Sequence, residues 1–400
     1  MTKPTRRWKT HSSTPEVFVD LAPLWTLSAF QGIGRYLREL LVTFPKLDSF
    51  NRRDLAVFGL NTRCWPWRKV PLEALSEGLP QALLEEPVSE KAFRHRLAGF
   101  YLRKLGCACY HQAEPRHTPL FAGTPLVLTI HDIIPLQFPR LYSRRAPRLR
   151  YALNWFITRW RLFQAEHVIT DSHYVAQLLA ARFSVSRKRI TAVWPGVDLK
   201  RFHAHSAVNE RETVKQQWGL DTPYWLFVGT GDPRKNLPFL LDAVAAVDSP
   251  EPLVLVGKIH PLHESAIKEG IRKNRLEGRV FLLGYVEDRS LSLLYRQSLG
   301  LLFPSLSEGF GLPVVEAMAC GTPVVAFANS SIPEVAGDAA WLVPTNDLPA
   351  FVEAMRVLAV NHEKRQELVV KGLERAKLFT WENTARAVLA VYRQVLGLPQ

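Results

Sequence analysis

Long apolar runs are absent from this sequence, and cysteine is scarce. No apolar stretch approaches the roughly 20 residues that a membrane-spanning helix needs. Residues 1–16 carry charge but no apolar core, so we do not expect them to form a secretory signal. Four cysteines in 400 residues are too few and too scattered for a disulfide framework. These absences argue against a membrane-spanning or disulfide-rich secreted protein and predict a cytoplasmic location.

Acidic residues are outnumbered: 37 Asp and Glu stand against 51 Lys and Arg, which gives a net charge of +14. Such a surplus predicts an acidic partner surface, either nucleic acid or anionic lipid. The sequence shows no nucleic-acid-binding motif, so we expect no nucleic-acid partner. The basic residues concentrate in two patches, Lys91, Arg94, Arg96, Arg103 and Lys104 in the first, and Arg140, Arg144, Arg145, Arg148, Arg150, Arg159 and Arg161 in the second.

The second patch lies in segment 140–163, which contains no acidic residue and many aromatic side chains. If this segment is helical, it is an amphipathic helix that suits a lipid interface. In the alternative interpretation, its apolar face packs on the protein's own sheet and the arginines are solvated. The first interpretation predicts peripheral association with an anionic membrane, on the inner face of the cytoplasmic membrane.

The chain is too long for one ordinary core and suits two domains. Short β-branched runs alternate with helical periods, which is typical of parallel sheets covered by helices on both faces. The predicted strands are 16–22, 55–60, 125–130, 167–170 and 189–193 in the first half, and 224–228, 252–256, 279–283, 300–304 and 323–327 in the second. The sequence therefore predicts an α/β protein with two Rossmann-like domains.

Turn residues at 194–198 mark the break between the two strand series. We place the first domain at 1–195 and the second at 196–380, with a last helix at 381–400 that Thr380 caps. Ligands of open α/β sheets bind beyond the carboxyl ends of the strands, so we expect the site in the cleft between the domains.

One cluster combines residue types that bind metals. Cys107, Cys109 and His111 alternate, and His117 follows a little further on. Their spacing is not that of the common zinc modules, and strand alternation produces the same pattern. We therefore expect no metal site here. An alternative is that His111, near the end of a strand, faces the cleft.

The most informative motif is segment 303–325, in which Glu308 and Glu316 flank a glycine-rich turn. An apolar run before it predicts a buried strand, and a proline suits the first turn of the helix that follows. Gly309 and Gly311 allow a ligand to approach the backbone closely, and the helix start offers N–H groups to an anion. The motif predicts a phosphate site between two carboxylates, which is the layout of a nucleotide-sugar site.

This segment resembles the Glu, seven residues, Glu signature of the retaining glycosyltransferases of family four, which have the GT-B fold. The resemblance implies that Glu308 binds the donor sugar and balances charge in the transition state, and that Glu316 binds the ribose. The loop between them would meet sugar and phosphate through Gly309, Phe310, Gly311 and Leu312. It also implies that the first domain holds the acceptor, the second holds the donor, and the last helix crosses back to the first domain.

Two motifs of the first domain add to this resemblance. Gly32 opens a helix after the first strand, in a loop that resembles the family's Gly-Gly-Ile-Gly-Arg-Tyr with Gln31 in place of the first glycine. His131 and Asp132 end a buried strand, where they either cap the next segment or face a ligand, and we favour a ligand. The resemblance implies that His131 binds the donor sugar and stabilises charge; a general-base role for His131 is left open.

Two motifs of the second domain complete the predicted site. Arg234 and Lys235 follow a strand, where adjacent cations suit a diphosphate or are simply solvated on a turn. Lys235 matches the family's phosphate-binding lysine, and we expect Arg234 to compensate for Thr230, where many members carry arginine. Tyr285 follows another strand, at the position where the family's backbone recognises the base.

The sequence has no Asp-x-Asp motif, so we expect no metal and no cofactor, with the leaving diphosphate neutralised by the two cations and the helix start. The resemblance implies transfer of a hexose from a nucleotide sugar with retained configuration. Segments 131–139 and 233–236 resemble the mannosyltransferase-like branch of bacterial surface polysaccharide synthesis, which implies GDP-mannose first and another GDP- or UDP-sugar second. The implied acceptor is a lipid-linked oligosaccharide or a lipopolysaccharide-type glycan. A sugar-nucleotide epimerase or hydrolase and a non-catalytic scaffold remain as alternatives.

Overall fold

The computed structural model describes residues 14–24, 32–48, 50, 54–62, 67–76, 99–114, 122–142, 147–206, 209–259 and 261–399. The chain forms two compact units. The first unit comprises residues 1–196 and 381–400, and the second comprises residues 197–380. The predicted divisions, after residues 195 and 380, fall within one residue of these.

The first unit contains a seven-stranded sheet. Its strands are β1 (Glu16–Asp20), β2 (Ala56–Asn61), β3 (Arg68–Pro71), β4 (Cys107–Gln112), β5 (Leu126–Ile130), β6 (His167–Thr170) and β7 (Ile190–Ala192). Their order across the sheet is β3-β2-β1-β4-β5-β6-β7. Every neighbouring pair is parallel except β2 and β3, which are antiparallel.

Helices cover both faces of this sheet. They are α1 (Gly32–Thr43), α2 (Glu73–Ser76), α3 (Ile134–Gln137), α4 (Pro139–Tyr142), α5 (Pro147–Gln164), α6 (His173–Phe183) and, after the second unit, α15 (Trp381–Leu396). Side chains of β1 alternate between the two faces. Val17 and Val19 share a core with α1 and α15, whereas Phe18 joins a second core with α5 and α6.

The second unit contains a six-stranded, fully parallel sheet. Its strands are β8 (Trp225–Val228), β9 (Leu253–Val256), β10 (Val280–Gly284), β11 (Gly300–Phe303), β12 (Val324–Phe327) and β13 (Trp341–Val343), in the order β10-β9-β8-β11-β12-β13. Its helices are α7 (Glu210–Trp218), α8 (Leu237–Ala246), α9 (Pro261–Lys273), α10 (Asp288–Gln297), α11 (Leu312–Ala319), α12 (Ile332–Ala336), α13 (Leu348–Val360) and α14 (His362–Ala376). Because β8 and β11 are neighbours, the loops that follow them leave the sheet at the same edge. These are the two loops that were predicted to bind the donor.

The prediction of an α/β protein with two Rossmann-like domains is confirmed. All ten predicted strands are present, with ends that differ by at most two residues. Two strands were not predicted, β3 and β13. The strand β4 contains the alternating residues Cys107, Cys109 and His111, for which a strand was expected. The edge strand β3 is short and carries exposed cations and a proline, features that protect sheet edges and remove the apolar pattern on which strand prediction depends. Among the described residues, no helix is both long and apolar enough to cross a membrane.

The last helix, α15, belongs to the first unit. It begins at Trp381, directly after the predicted cap Thr380, and it buries Val388 and Tyr392 in the core formed by α1. The Tyr392 hydroxyl lies 2.6 Å from Nδ1 of His111, whose Nε2 lies 2.8 Å from the Thr129 hydroxyl. Because His111 is fully buried and both of its nitrogens have protein partners, the alternative that it faces a ligand cleft is wrong.

Candidate active site

Two loops of the second unit meet beyond the carboxyl ends of β8 and β11. The first loop carries Arg234 and Lys235, and the second carries Glu308. Because β8 and β11 are parallel neighbours, their following loops leave the sheet at the same edge. A backbone hydrogen bond from Leu306 N to the Arg234 carbonyl, 2.8 Å long, joins the loops directly.

Glu308 is the centre of this junction. Its carboxylate accepts a hydrogen bond from Arg234 Nη1 at Oε2 (2.5 Å) and from Lys235 Nζ at Oε1 (2.6 Å). Glu308 is only 6% exposed. Burial alone would raise the pKa of Glu308, but the two cations and their hydrogen bonds outweigh it and lower the pKa to about 2. At neutral pH Glu308 is therefore an ionised carboxylate and not a proton donor.

Lys235 is buried as deeply as its partner, at 6% exposure. Burial lowers its pKa, and the neighbouring Glu308 carboxylate opposes that shift. The ammonium group also lies 4.7 Å from the centroid of the Phe303 ring. The Lys235 ammonium has three N–H donors, and its hydrogen bond to Glu308 Oε1 uses one of them.

The loop that carries Glu308 is held by the segment before α12. Glu308 N donates to Ser330 Oγ (3.0 Å), and Ser331 Oγ approaches the carbonyls of Glu308 (3.1 Å) and Phe310 (2.8 Å). Gly311 then starts α11 with φ +109°, where a Cβ would lie 2.7 Å from Ile332 Cδ1. As a glycine, residue 311 adopts this positive φ without a clash. It has no side chain that could cap the start of α11. Sequence reasoning missed both serines.

Three further residues of the second unit were predicted to bind the nucleotide-sugar donor. Glu316, on α11, is 3% exposed and accepts a hydrogen bond from the Tyr295 hydroxyl (3.2 Å). Tyr285 is 70% exposed, so it is not a core residue, and the Gly284 carbonyl beside it accepts from Gly257 N (2.7 Å). Leu312 is the half-buried first residue of α11. The ligand roles assigned to these residues remain predictions.

In the first unit, His131 has a partner that sequence reasoning did not identify. His131 Nδ1 lies 2.7 Å from Asp171 Oδ2, and Nε2 lies 3.0 Å from the Ala113 carbonyl. Burial would lower the pKa of His131, but Asp171, together with smaller contributions from Asp132 and Ala113, raises it. Asp171 directly follows β6, so the reasoning that selected His131, a polar residue just after a buried strand, also applies to it.

Two further residues of the first unit were predicted to bind a ligand, Asp132 and Gly32. Asp132 is exposed, and its Oδ1 accepts from Ile134 N (3.0 Å) at the start of α3, which is the capping contact of the alternative interpretation. Gly32 is exposed and begins α1. Ligand binding by either residue remains a prediction. Several residues named above lie outside the described part of the chain: Gln31, Lys91, Arg94, Arg96, His117, Arg144 and Arg145.

Two protein-family models match this chain. Residues 208–375 match the family model described as glycosyl transferases group 1, and residues 101–201 match that of glycosyltransferase family 4. The structure resembles sucrose-phosphate synthase from Thermosynechococcus elongatus with a TM-score of 0.71 and 23% identity, covering 96% of this chain and 99% of that one. The chain therefore contains a glycosyl transferases group 1 domain and a glycosyltransferase family 4 domain, and it has the GT-B fold.

Two curated relatives illustrate the range of this similarity. The O-antigen chain mannosyltransferase B of Escherichia coli is 35% identical over 174 residues, which are 42% of this chain and 45% of that protein. A D-inositol 3-phosphate glycosyltransferase of Nocardioides sp. is 30% identical over 292 residues, 68% of this chain and 62% of that protein. The chain thus spans roughly half to two thirds of the length of these relatives.

Proposed function

We propose that this chain is a retaining hexosyltransferase that takes its sugar from a nucleotide sugar, without a metal ion. The observation that carries the proposal is the buried cluster in which Glu308 binds both Arg234 and Lys235. A carboxylate kept ionised by two cations at the start of a helix suits a ligand with sugar hydroxyls at one end and a diphosphate at the other. The matches to two glycosyltransferase family models support the same reaction.

In the proposed reaction, the cations act on the leaving group. Arg234 and Lys235 bind the diphosphate and stabilise the charge that develops on it as the glycosidic bond breaks. The acceptor hydroxyl attacks on the face that the diphosphate leaves, and a phosphate oxygen takes its proton. Glu308 binds sugar hydroxyls and balances positive charge, and Glu316 binds the ribose. No carboxylic acid is needed, in keeping with the low pKa of Glu308.

The proposed donor is GDP-mannose, and the proposed acceptor is a lipid-linked oligosaccharide or a lipopolysaccharide-type glycan. Similarity to an O-antigen chain mannosyltransferase supports both choices. Similarity to D-inositol 3-phosphate glycosyltransferases leaves another GDP- or UDP-hexose as the second candidate. A sugar-nucleotide hydrolase of the same fold would release nucleotide at the same rate with and without an acceptor.

A thermal-shift measurement tests donor and metal together. GDP-mannose at about 100 times its Kd is expected to stabilise the protein by about 2.7 kcal/mol, which raises Tm by roughly 3–6 °C for a chain of this size. UDP-glucose is expected to give a smaller shift, and EDTA is expected to change neither. A larger shift with UDP-glucose would reverse the donor assignment, and a shift abolished by EDTA would contradict metal independence.

We also propose that α5 docks this protein on an anionic membrane. The helix has two faces: Tyr151, Trp155 and Leu162 pack against the core, whereas Leu153, Phe156 and Phe163 are 56%, 63% and 50% exposed. The exposed residues recur at steps of three and seven, which return to one side of a helix. Arg159, also exposed, lies over the Trp155 ring at 5.4 Å. An exposed apolar stripe beside arginines, in a segment without acids, matches an anionic lipid surface in charge.

Removal of this stripe is expected to reduce vesicle binding. The triple variant Leu153→Ser, Phe156→Ser, Phe163→Ser loses three apolar anchors and should bind vesicles of 30% phosphatidylglycerol at least tenfold more weakly in a flotation assay. The matched control is Val360→Ser, Val370→Ser, Leu378→Ser, which changes exposed apolar side chains of the second unit. Equal binding by both triple variants would contradict docking through α5.

A further inference from the structure

Both ring nitrogens of His131 face groups that accept hydrogen bonds. The Ala113 carbonyl oxygen, 3.0 Å from Nε2, has no proton to give, so Nε2 must carry one. The Asp171 carboxylate lies 2.7 Å from Nδ1, a distance typical of a charged N–H donating to a carboxylate. With protons on both nitrogens, the ring is an imidazolium.

Asp171 is placed to hold the ring in this state. It follows β6, the parallel neighbour of the strand that His131 follows, so both side chains emerge at the same edge of the sheet. The next residue, Ser172, caps α6 by accepting from Val175 N, which fixes the chain around the carboxylate. Within the described part of the chain, Asp171 Oδ1 has no hydrogen-bond partner. The negative charge of this carboxylate, which is 7% exposed, is therefore balanced by His131.

We propose that Asp171 is the positioning residue of His131, and that it keeps His131 doubly protonated as a fixed positive charge for the transfer reaction. The arrangement differs from a catalytic His-Asp pair, in which the second ring nitrogen is open to take a proton from the substrate. Here that nitrogen donates to Ala113, so His131 is not the general base. The chemical role rests on the function proposed above, whereas the protonation state does not.

The other titratable groups around the His131 ring are neutral or negatively charged, so none of them opposes a positive charge on it. From α1, the Tyr36 ring meets the imidazole edge-on with centroids 4.9 Å apart, and burial raises the pKa of its phenol so that it stays neutral. From β4, His111 is neutral, because burial and the charge of His131 lower its pKa to about 3. Asp132, the next residue in the chain, adds a second nearby carboxylate that favours the imidazolium.

Nitrogen NMR of the protein labelled with ¹⁵N-histidine tests the protonation state without any substrate. The His131 signals, assigned by their loss in His131→Asn, are expected to show two protonated ring nitrogens at pH 7.5. In Asp171→Asn, one nitrogen is expected to lose its proton at this pH, and Asp171→Glu should restore the imidazolium pattern. A neutral ring in the unaltered protein at pH 7.5 would overturn the proposal whether or not any transfer is found.

The pH profile of transfer tests the role. The pKa of His131 is raised, so the ring is positively charged below that pKa and loses its charge as the pH rises through it. Without the Asp171 carboxylate, the ring loses its charge at a lower pH. Because burial alone lowers the pKa of His131, transfer by Asp171→Asn relative to the unaltered protein is expected to fall about tenfold or more between pH 6 and pH 7.5. Circular dichroism confirms that the variant is folded, and Asp171→Glu provides the second variant. A constant activity ratio across this range would assign Asp171 a purely structural role.

Discussion

Replacement of Glu308 by glutamine is expected to lower kcat/KM for transfer by about 10²–10³. The amide keeps the shape of the side chain but removes the charge that balances Arg234 and Lys235 and the developing positive charge on the sugar. The loss of one preorganised electrostatic contact in an active site typically has this magnitude. Steady-state kinetics with GDP-mannose and a glycan acceptor measure the effect, and donor-induced thermal shifts show how much of it arises in binding.

A matched control exists in the same unit. Glu210 is 9% exposed and binds Arg296 through both carboxylate oxygens, at 2.6 and 2.9 Å. Glu210→Gln therefore makes the same chemical change in another buried ion pair of the second unit. Both variants are expected to lose stability, because removing one partner of a buried pair leaves the other uncompensated. Only Glu308→Gln should lose transfer, and equal kinetic losses would mean that the Glu308 effect is structural.

The sequence was sufficient to predict strands and loops but not which loops meet. Buried apolar runs predicted β8 and β11, and their glycine-rich ends predicted ligand loops. The pairing of Glu308 with Lys235 depends on the order of strands in the sheet, where β8 and β11 are neighbours although β9 and β10 lie between them in the chain. Sequence spacing does not determine that order, so the two cations were predicted for a phosphate but not as partners of the glutamate.

The missed residues have two different causes. Asp171 occupies the same kind of position as His131, just after a buried strand, and the strand-end rule would have identified it had it been applied to β6. Ser330 and Ser331 are different, because only the folded chain brings the loop after β12 onto the backbone of Glu308 and Phe310. Serine in a loop is common, so no local signal distinguishes these two from others.

Lys235→Met is expected to lower kcat/KM by about 10²–10³ and to reduce the thermal shift that GDP-mannose produces. Methionine keeps a long apolar stem beside Phe303 but cannot neutralise the leaving diphosphate. The change leaves Glu308 paired with Arg234 at 2.5 Å, so the carboxylate stays ionised. Because Lys235 is one partner of a buried ion pair, the unliganded protein is expected to lose some stability, and the remaining contact of Glu308 with Arg234 limits that loss. Kinetics and thermal unfolding of the same preparations separate these effects.

Lys364→Met provides the comparison, since Lys364 also pairs with a carboxylate, Glu367 at 2.6 Å, and lies 5.9 Å from the Trp341 ring centroid. Its side chain is 35% exposed, so it resembles Lys235 in partners but not in burial. Transfer and donor binding should be unchanged in this variant. If Lys235→Met also bound GDP-mannose and transferred normally, the diphosphate would have to be neutralised elsewhere. A fall in kcat/KM with an unchanged donor shift would instead place the contribution of Lys235 in the transition state alone, because the lysine would then bind the diphosphate more strongly as its charge develops.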